Sequence, residues 1–146
     1  MDFKLIRLIF FRLSARFLAD TLMNETGFLP LAIAVLTVSD TRTEADDASG
    51  RTLVERLTAA GHRLVDRTLV PDDIYRIRAV VSGWIADPEV AVVLVTGGTG
   101  MTGRDSTPEA VRPLLDKEIP GFGELFRMLS WEEIGPSTLQ SRTLAG

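Results

Sequence analysis

The 146-residue chain contains no cysteine and a single histidine, His62. Without thiols there are no disulfides, no thiolate metal sites and no cysteine nucleophile, which suits a reducing, cytoplasmic setting. One imidazole cannot build a multi-histidine metal centre. Any metal must be a hard cation held by carboxylates and substrate oxygens, which points to magnesium. No uninterrupted apolar run approaches the ~20 residues of a membrane-spanning helix. Repeats and low-complexity linkers are lacking, and the length suits one domain. A basic excess is lacking as well: the net charge is −4. That argues against general nucleic-acid binding, but not against one small anion held in a nest of backbone amides.

The charge is uneven. Residues 1–19 carry Lys4, Arg7, Arg12 and Arg16 against Asp2, a net +3, which leaves −7 for the remainder. The first stretch, MDFKLIRLIFFRLSARFLADTLM, has a helical pattern with Arg12 and Arg16 on one face. It lacks the small-residue cleavage site of a secretory signal. Three readings stand: an organelle presequence, a membrane-surface helix, or a translation start assigned too early. The last is the simplest, because Met23 opens NETGFLP, an ordinary polar entry to a domain. Residues 1–27 are therefore read as an extension and residues 28–146 as the domain.

From Leu31 the pattern becomes regular. LAIAVLTVS (31–39) is a continuous apolar, β-branched run, as expected of a strand buried on both faces. GRTLVERLTAAG (50–61) has helical spacing, with Ser49 as the expected N-cap and Gly61 as the stop. HRLVDRTLV (62–70) alternates as a strand. DIYRIRAVVSGWIAD (73–87) places Ile74, Ile77, Val81 and Trp84 or Ile85 on one helical stripe. VAVVLVT (90–96) is a further buried strand. Thr107 is expected to cap a helix with Pro108 at its first position. Residues 121–135 read as a helix with Phe122, Leu125, Phe126 and Leu129 inward. This alternation predicts a mostly parallel sheet with helices on both faces. His62 is expected to be exposed, Trp84 and Trp131 to lie in the core or a subunit contact, and Arg127 to neutralise nearby acids.

In such a sheet, ligands gather at the carboxyl ends of the strands. Those ends are Ser39-Asp40, Pro71-Asp72-Asp73 and Thr96-Gly97-Gly98. The third opens TGGTGMTGRDSTPEA, where Gly98 to Gly103 matches G-x-G-x-x-G by letter. A dinucleotide fingerprint needs a helix opening within the glycines, and here the helix start comes later. A triphosphate loop needs Gly-Lys-Ser/Thr, which is absent. What remains is a longer loop whose glycines let amides approach an anion, with hydroxyls at Thr96, Thr99 and Thr102. Asp105 reads as surplus to helix capping, since Ser106 and Thr107 offer caps. Asp72 would by itself be an ordinary turn residue after Pro71. Two acids at adjacent strand ends beside a glycine loop favour a magnesium-phosphate site.

Five segments together carry a resemblance: LTVSDTR (36–42), LVPDD (69–73), TGGTGMTGRDSTPEA (96–110), PGFGELFRMLS (120–130) and STLQSRTLAG (137–146). They resemble the MoaB/Mog family of molybdenum cofactor biosynthesis proteins, the MoaB branch above all, over Phe28 to Gly146. The resemblance implies a three-layer α/β/α molybdopterin-binding fold, a homo-oligomer (trimer or hexamer) and partners among the other proteins of that pathway. It also implies an adenylyltransferase-type reaction, in which molybdopterin is adenylylated with Mg2+ and ATP before molybdate insertion. The family's catalytic, metal-holding aspartates map to Asp72 and Asp105, and its pterin and phosphate contacts to Thr96, Gly97, Gly98, Thr99 and Gly100. Ser39, Asp40, Glu124 and Ser141 carry over as further binding residues. Family members continue past SRTLAG into another strand, an L-P-G-S-like loop and a closing helix. The domain is therefore expected to be cut short, leaving a sheet edge unpaired. A non-catalytic molybdopterin carrier and an inactive, shortened family member are the alternatives.

Overall fold

A computed structural model describes residues 27–146, so the readings made for the first 26 residues lie outside the described residues. Three strands, β1 (Ala32–Val38), β2 (Arg63–Val70) and β3 (Val92–Thr96), form a parallel sheet in the order β2-β1-β3. The most continuously apolar strand takes the centre, where both faces and both edges are covered. Its side chains alternate. Ala34, Leu36 and Val38 meet Val93 and Val95 on one face, and Ile33 and Val35 meet Val92 on the other. Helix α1 (Ala48–Ala59) covers the second face through Leu53 and Leu57. Helices α2 (Ile74–Ala86) and α3 (Thr107–Val111) cover the first through Ile77, Val81, Trp84, Ala110 and Val111. The layers are those expected: helix, parallel sheet, helix.

The cap of α1 is Asp47 rather than Ser49. The Asp47 carboxylate is fully buried and accepts from the Gly50 amide (2.9 Å), Thr37 Oγ1 (2.8 Å) and an Arg67 guanidinium nitrogen (2.8 Å). It thus joins the start of α1 to β1 and β2, a long-range demand that local capping preference does not reveal. Ser49 instead accepts from Arg42 at 2.6 Å. Gly61 follows the helix at φ 85°, as its stop position requires. His62 is half-buried, not exposed: Nδ1 accepts from the Leu31 amide (3.2 Å) and the ring lies 5.2 Å from that of Phe28.

Pro113 limits α3 to one turn, which tightens into a 3-10 segment over Arg112–Leu114. Helix α4 (Phe122–Ile134) departs from its pattern. Leu125 and Leu129 are 53% and 52% exposed, and the helix buries Gly123 and Ser130 instead. Trp131 is exposed as well. The reason is close approach: a Cβ at Gly123 would press on the Thr143 carbonyl, so the backbone of residues 141–144 docks on the small-residue side. Arg127 reinforces that side by donating to the Ser141 carbonyl (3.0 Å).

Replacing Asp47 with Ala should lower stability by about 3–5 kcal/mol, because Arg67 then loses its buried partner; urea unfolding measures this. Burial pushes the Asp47 carboxyl up, but the Gly50 amide, Arg67 and Thr37 outweigh it and hold the group below 3.8. Its stabilisation is present above about pH 3.8 and is lost as pH falls through the lower folded value. Asp47→Asn should therefore flatten the acid limb of the stability profile.

Candidate functional site

Strand β3 ends at the buried Thr96, and the chain then turns through Gly97 (φ 97°) and Gly98 (φ 61°). Both positions need glycine on two counts. L side chains rarely adopt these angles, and there is no room: a Cβ at Gly97 would meet the Val38 carbonyl, and one at Gly98 would meet Thr107 Oγ1 and the Asp72 carboxylate. Thr107 closes this turn. Its hydroxyl donates to the Gly97 carbonyl (2.9 Å) and its amide to the Gly98 carbonyl (3.0 Å). It is therefore not the cap of α3, and Pro108 is not the first helical residue. The cap position belongs to Ser106, whose side chain makes no capping bond. Ser106 instead donates from its amide (3.0 Å) and hydroxyl (2.5 Å) to Asp72 Oδ1.

Asp72 thus sits against the glycine turn, its second oxygen facing Gly98. Asp105 closes the next stretch. Its carboxylate accepts from the Thr102 amide (2.9 Å) and hydroxyl (2.5 Å) and lies against Gly100. Burial raises the Asp105 pKa, but Thr102, the Gly100 amide and the charge of Arg142 outweigh it and leave the group lowered and ionised at neutral pH. Asp105 makes no capping bond to α3, as expected, and instead clasps the loop ahead of it. The two acids bracket one loop and are linked through Ser106. Among the described residues, no group of three or more His, Cys, Asp and Glu side chains forms a ready metal site.

The other expected residues divide. Asp40 joins the cluster: it accepts from the Asp72 amide (3.0 Å) and from the Arg104 fork (2.8–3.0 Å). Arg104, followed by the Asp72 amide, lowers the Asp40 pKa. Ser39 shapes its own turn, its hydroxyl accepting from the Thr41 (3.3 Å) and Arg42 (3.2 Å) amides. Thr99 is buried, and its hydroxyl has no partner. The Ser141 hydroxyl is likewise buried without a partner, directly behind the loop, where the next residue's amide donates to the Thr99 carbonyl. Glu124 stands apart on the first turn of α4, largely exposed and 3.6 Å from Arg127.

Two hollows flank this arrangement. One of about 330 Å³ is lined by Ile74, Met101, Thr102, Asp105, Ser106 and Arg142, among others. The second, about 440 Å³, includes Arg112, Gly123, Glu124, Arg127, Arg142 and Thr143 in its lining. Sequence reasoning missed Arg104 and Arg142. Neither lies on a periodic face, and their partners are 64 and more than 30 positions away. The one available signal was the need of a glycine loop's carbonyls for donors.

A parallel α/β sheet with an acid-bracketed glycine loop at its strand tips defines a small-ligand-binding α/β domain. Residues 34–146 match the family described as a probable molybdopterin binding domain. Molybdenum cofactor biosynthesis protein B of Escherichia coli K12 is 58% identical over 122 residues, which covers 84% of this chain and 72% of that protein. A crystal structure of a molybdenum cofactor biosynthesis protein B superposes with a TM-score of 0.76 at 44% identity, covering 82% of this chain and 80% of the other. The tungsten cofactor synthesizing protein MoaB of Pyrococcus furiosus superposes at 0.68 with 37% identity, covering 82% and 74%. The chain belongs to the molybdopterin-binding MoaB/Mog family.

Gly97→Ala should cost about 1–3 kcal/mol for the strained φ alone, and more for contact with the Val38 carbonyl. A lowered thermal midpoint, with altered amide resonances confined to the three strand tips, is the expected result.

Proposed function

We propose that this protein acts in molybdenum cofactor biosynthesis by binding molybdopterin and adenylylating it with Mg-ATP before molybdate insertion. The observation that carries the reading is the pair of carboxylates, Asp72 and Asp105, held on either side of one glycine loop. Two carboxylates beside a glycine cradle fit a hard cation that completes its coordination with phosphate oxygens and water. When bound, magnesium would neutralise charge on the phosphates during adenylyl transfer. The chain's own part is positioning. Gly98 and Gly100 let the Asp72 and Asp105 carboxylates close on the loop backbone, and the partnerless Thr99 hydroxyl is a donor in reserve. Holding two anions in line supplies much of the rate enhancement in transfers of this type.

A non-catalytic carrier is the second reading, and one observation favours it. The Asp105 carboxylate is already engaged by Thr102 and the Gly100 amide, as a purely structural loop clasp would be. The exposed apolar row of α4, with Leu125, Met128, Leu129 and Trp131, is consistent with assembly into a homo-oligomer. No described helix is long and apolar enough to cross a membrane. We place the reaction in the cytoplasm.

Asp72→Asn separates the two readings, because the amide oxygen can still accept from Ser106 while the charge is gone. With purified protein, Mg-ATP and molybdopterin, the variant should lose adenylylated product by about 100-fold or more and still bind molybdopterin. Product formed at the wild-type rate would refute the assignment, and no product from the wild-type protein would favour the carrier.

A further inference from the structure

One arginine outside the expected site residues makes contacts along the whole loop. The Arg142 amide donates to the Thr99 carbonyl (3.1 Å), Nε to the Gly100 carbonyl (2.7 Å) and a terminal guanidinium nitrogen to the Asp105 carbonyl (2.6 Å). Its other terminal nitrogen pairs with Glu109 of α3. The guanidinium is planar, and its donors leave in fixed directions. One rigid group therefore sets the Gly100 and Asp105 carbonyls relative to each other and to the helix that follows. Arg142 also lines both hollows, so it forms part of the wall between them. The hydroxyls on either side of it in sequence, Ser141 and Thr143, are buried and without partners. The backbone here follows the needs of the arginine's contacts rather than those of its neighbours.

We propose that Arg142 is a positioning residue, which holds the Thr99–Asp105 segment in the shape that presents the Asp105 carboxylate to ligand. Ordinary stabilisation would spread its effect over the whole domain. A positioning role confines the effect to the loop and to turnover. The kinetic half of the proposal rests on the adenylylation reading, whereas the structural half does not.

Arg142→Gln and Arg142→Lys in the full chain distinguish these roles. In the Gln variant, amides of Gly98–Asp105 should exchange with solvent about tenfold faster or more, while Val35 and Leu36 in β1 keep their rates. With Mg-ATP and molybdopterin, kcat should fall about tenfold or more, and KM for ATP should move less than about threefold. The Lys variant keeps the charge and can reach a carbonyl, so it should regain part of both the protection and the turnover. Loop exchange unchanged in Arg142→Gln overturns the proposal. Exchange that rises equally in β1 overturns it too, since Arg142 would then be a general stabilising residue. Should the Gln variant fail to fold, the Lys variant is judged by the same comparison of loop with β1. Wild-type protein that yields no adenylylated product defeats the functional reading alone, and the exchange measurement still decides the role of Arg142.

Discussion

The hydrogen bonds from Ser106 to the Asp72 carboxylate join two strand ends that would otherwise part. Asp72 lies just beyond β2 and Ser106 closes the loop after β3, while β1 runs between those strands in the sheet. That link draws the loop back across the sheet's rim. Around it the Asp72 amide engages Asp40, which takes the Arg104 fork. The tips of all three strands are thereby tied into one polar cluster, and the site exists only as long as they are.

That cluster is built on an apolar base with no polar demands of its own. The central strand buries both faces, and alternation along it feeds two separate cores, one under α1 and one under α2 and α3. Each core can form with few polar side chains. Asp47 is the exception: it is buried, and its ties to Thr37, Gly50 and Arg67 connect α1 to the sheet. Such a group is tolerated only because its oxygens are satisfied. Partnerless buried hydroxyls are found at Thr99, Ser141 and Thr143, all beside the loop or behind it. Unspent donors gathered beside a glycine loop are what a site for a polar ligand needs.

Membership of the molybdopterin-binding family gives these features a common purpose without assigning each residue a task. Asp72 lies against Gly98 and Asp105 against Gly100, so the two carboxylates and the glycines belong to one loop. Ser141 lies behind the loop against the packed face of α4, whereas Glu124 stands apart at the second hollow. The chain thus offers two adjoining spaces with Arg142 between them.

Strands, helices α1 and α2 and the parallel sense of the sheet were legible in the linear pattern. They follow from local periodicity: a period of two or a continuous apolar run for strands, 3.6 for helices, and glycine or proline where the chain must turn. Glycine at 97 and 98 was legible for the same reason. What the hydroxyls and charges of the loop bond to was decided only by tertiary structure. Thr107 serves Gly97 rather than α3 and Ser106 serves Asp72, 10 and 34 positions away in sequence, and Asp47, which caps α1 in place of Ser49, also serves Thr37 and Arg67 across the sheet. The same is true of α4, where apolar spacing pointed Leu125 and Leu129 inward and close backbone approach at Gly123 turned them out. Apolar burial is broad and non-directional, so pattern foretells it. A hydrogen bond demands one partner at one distance, which only the folded chain can supply.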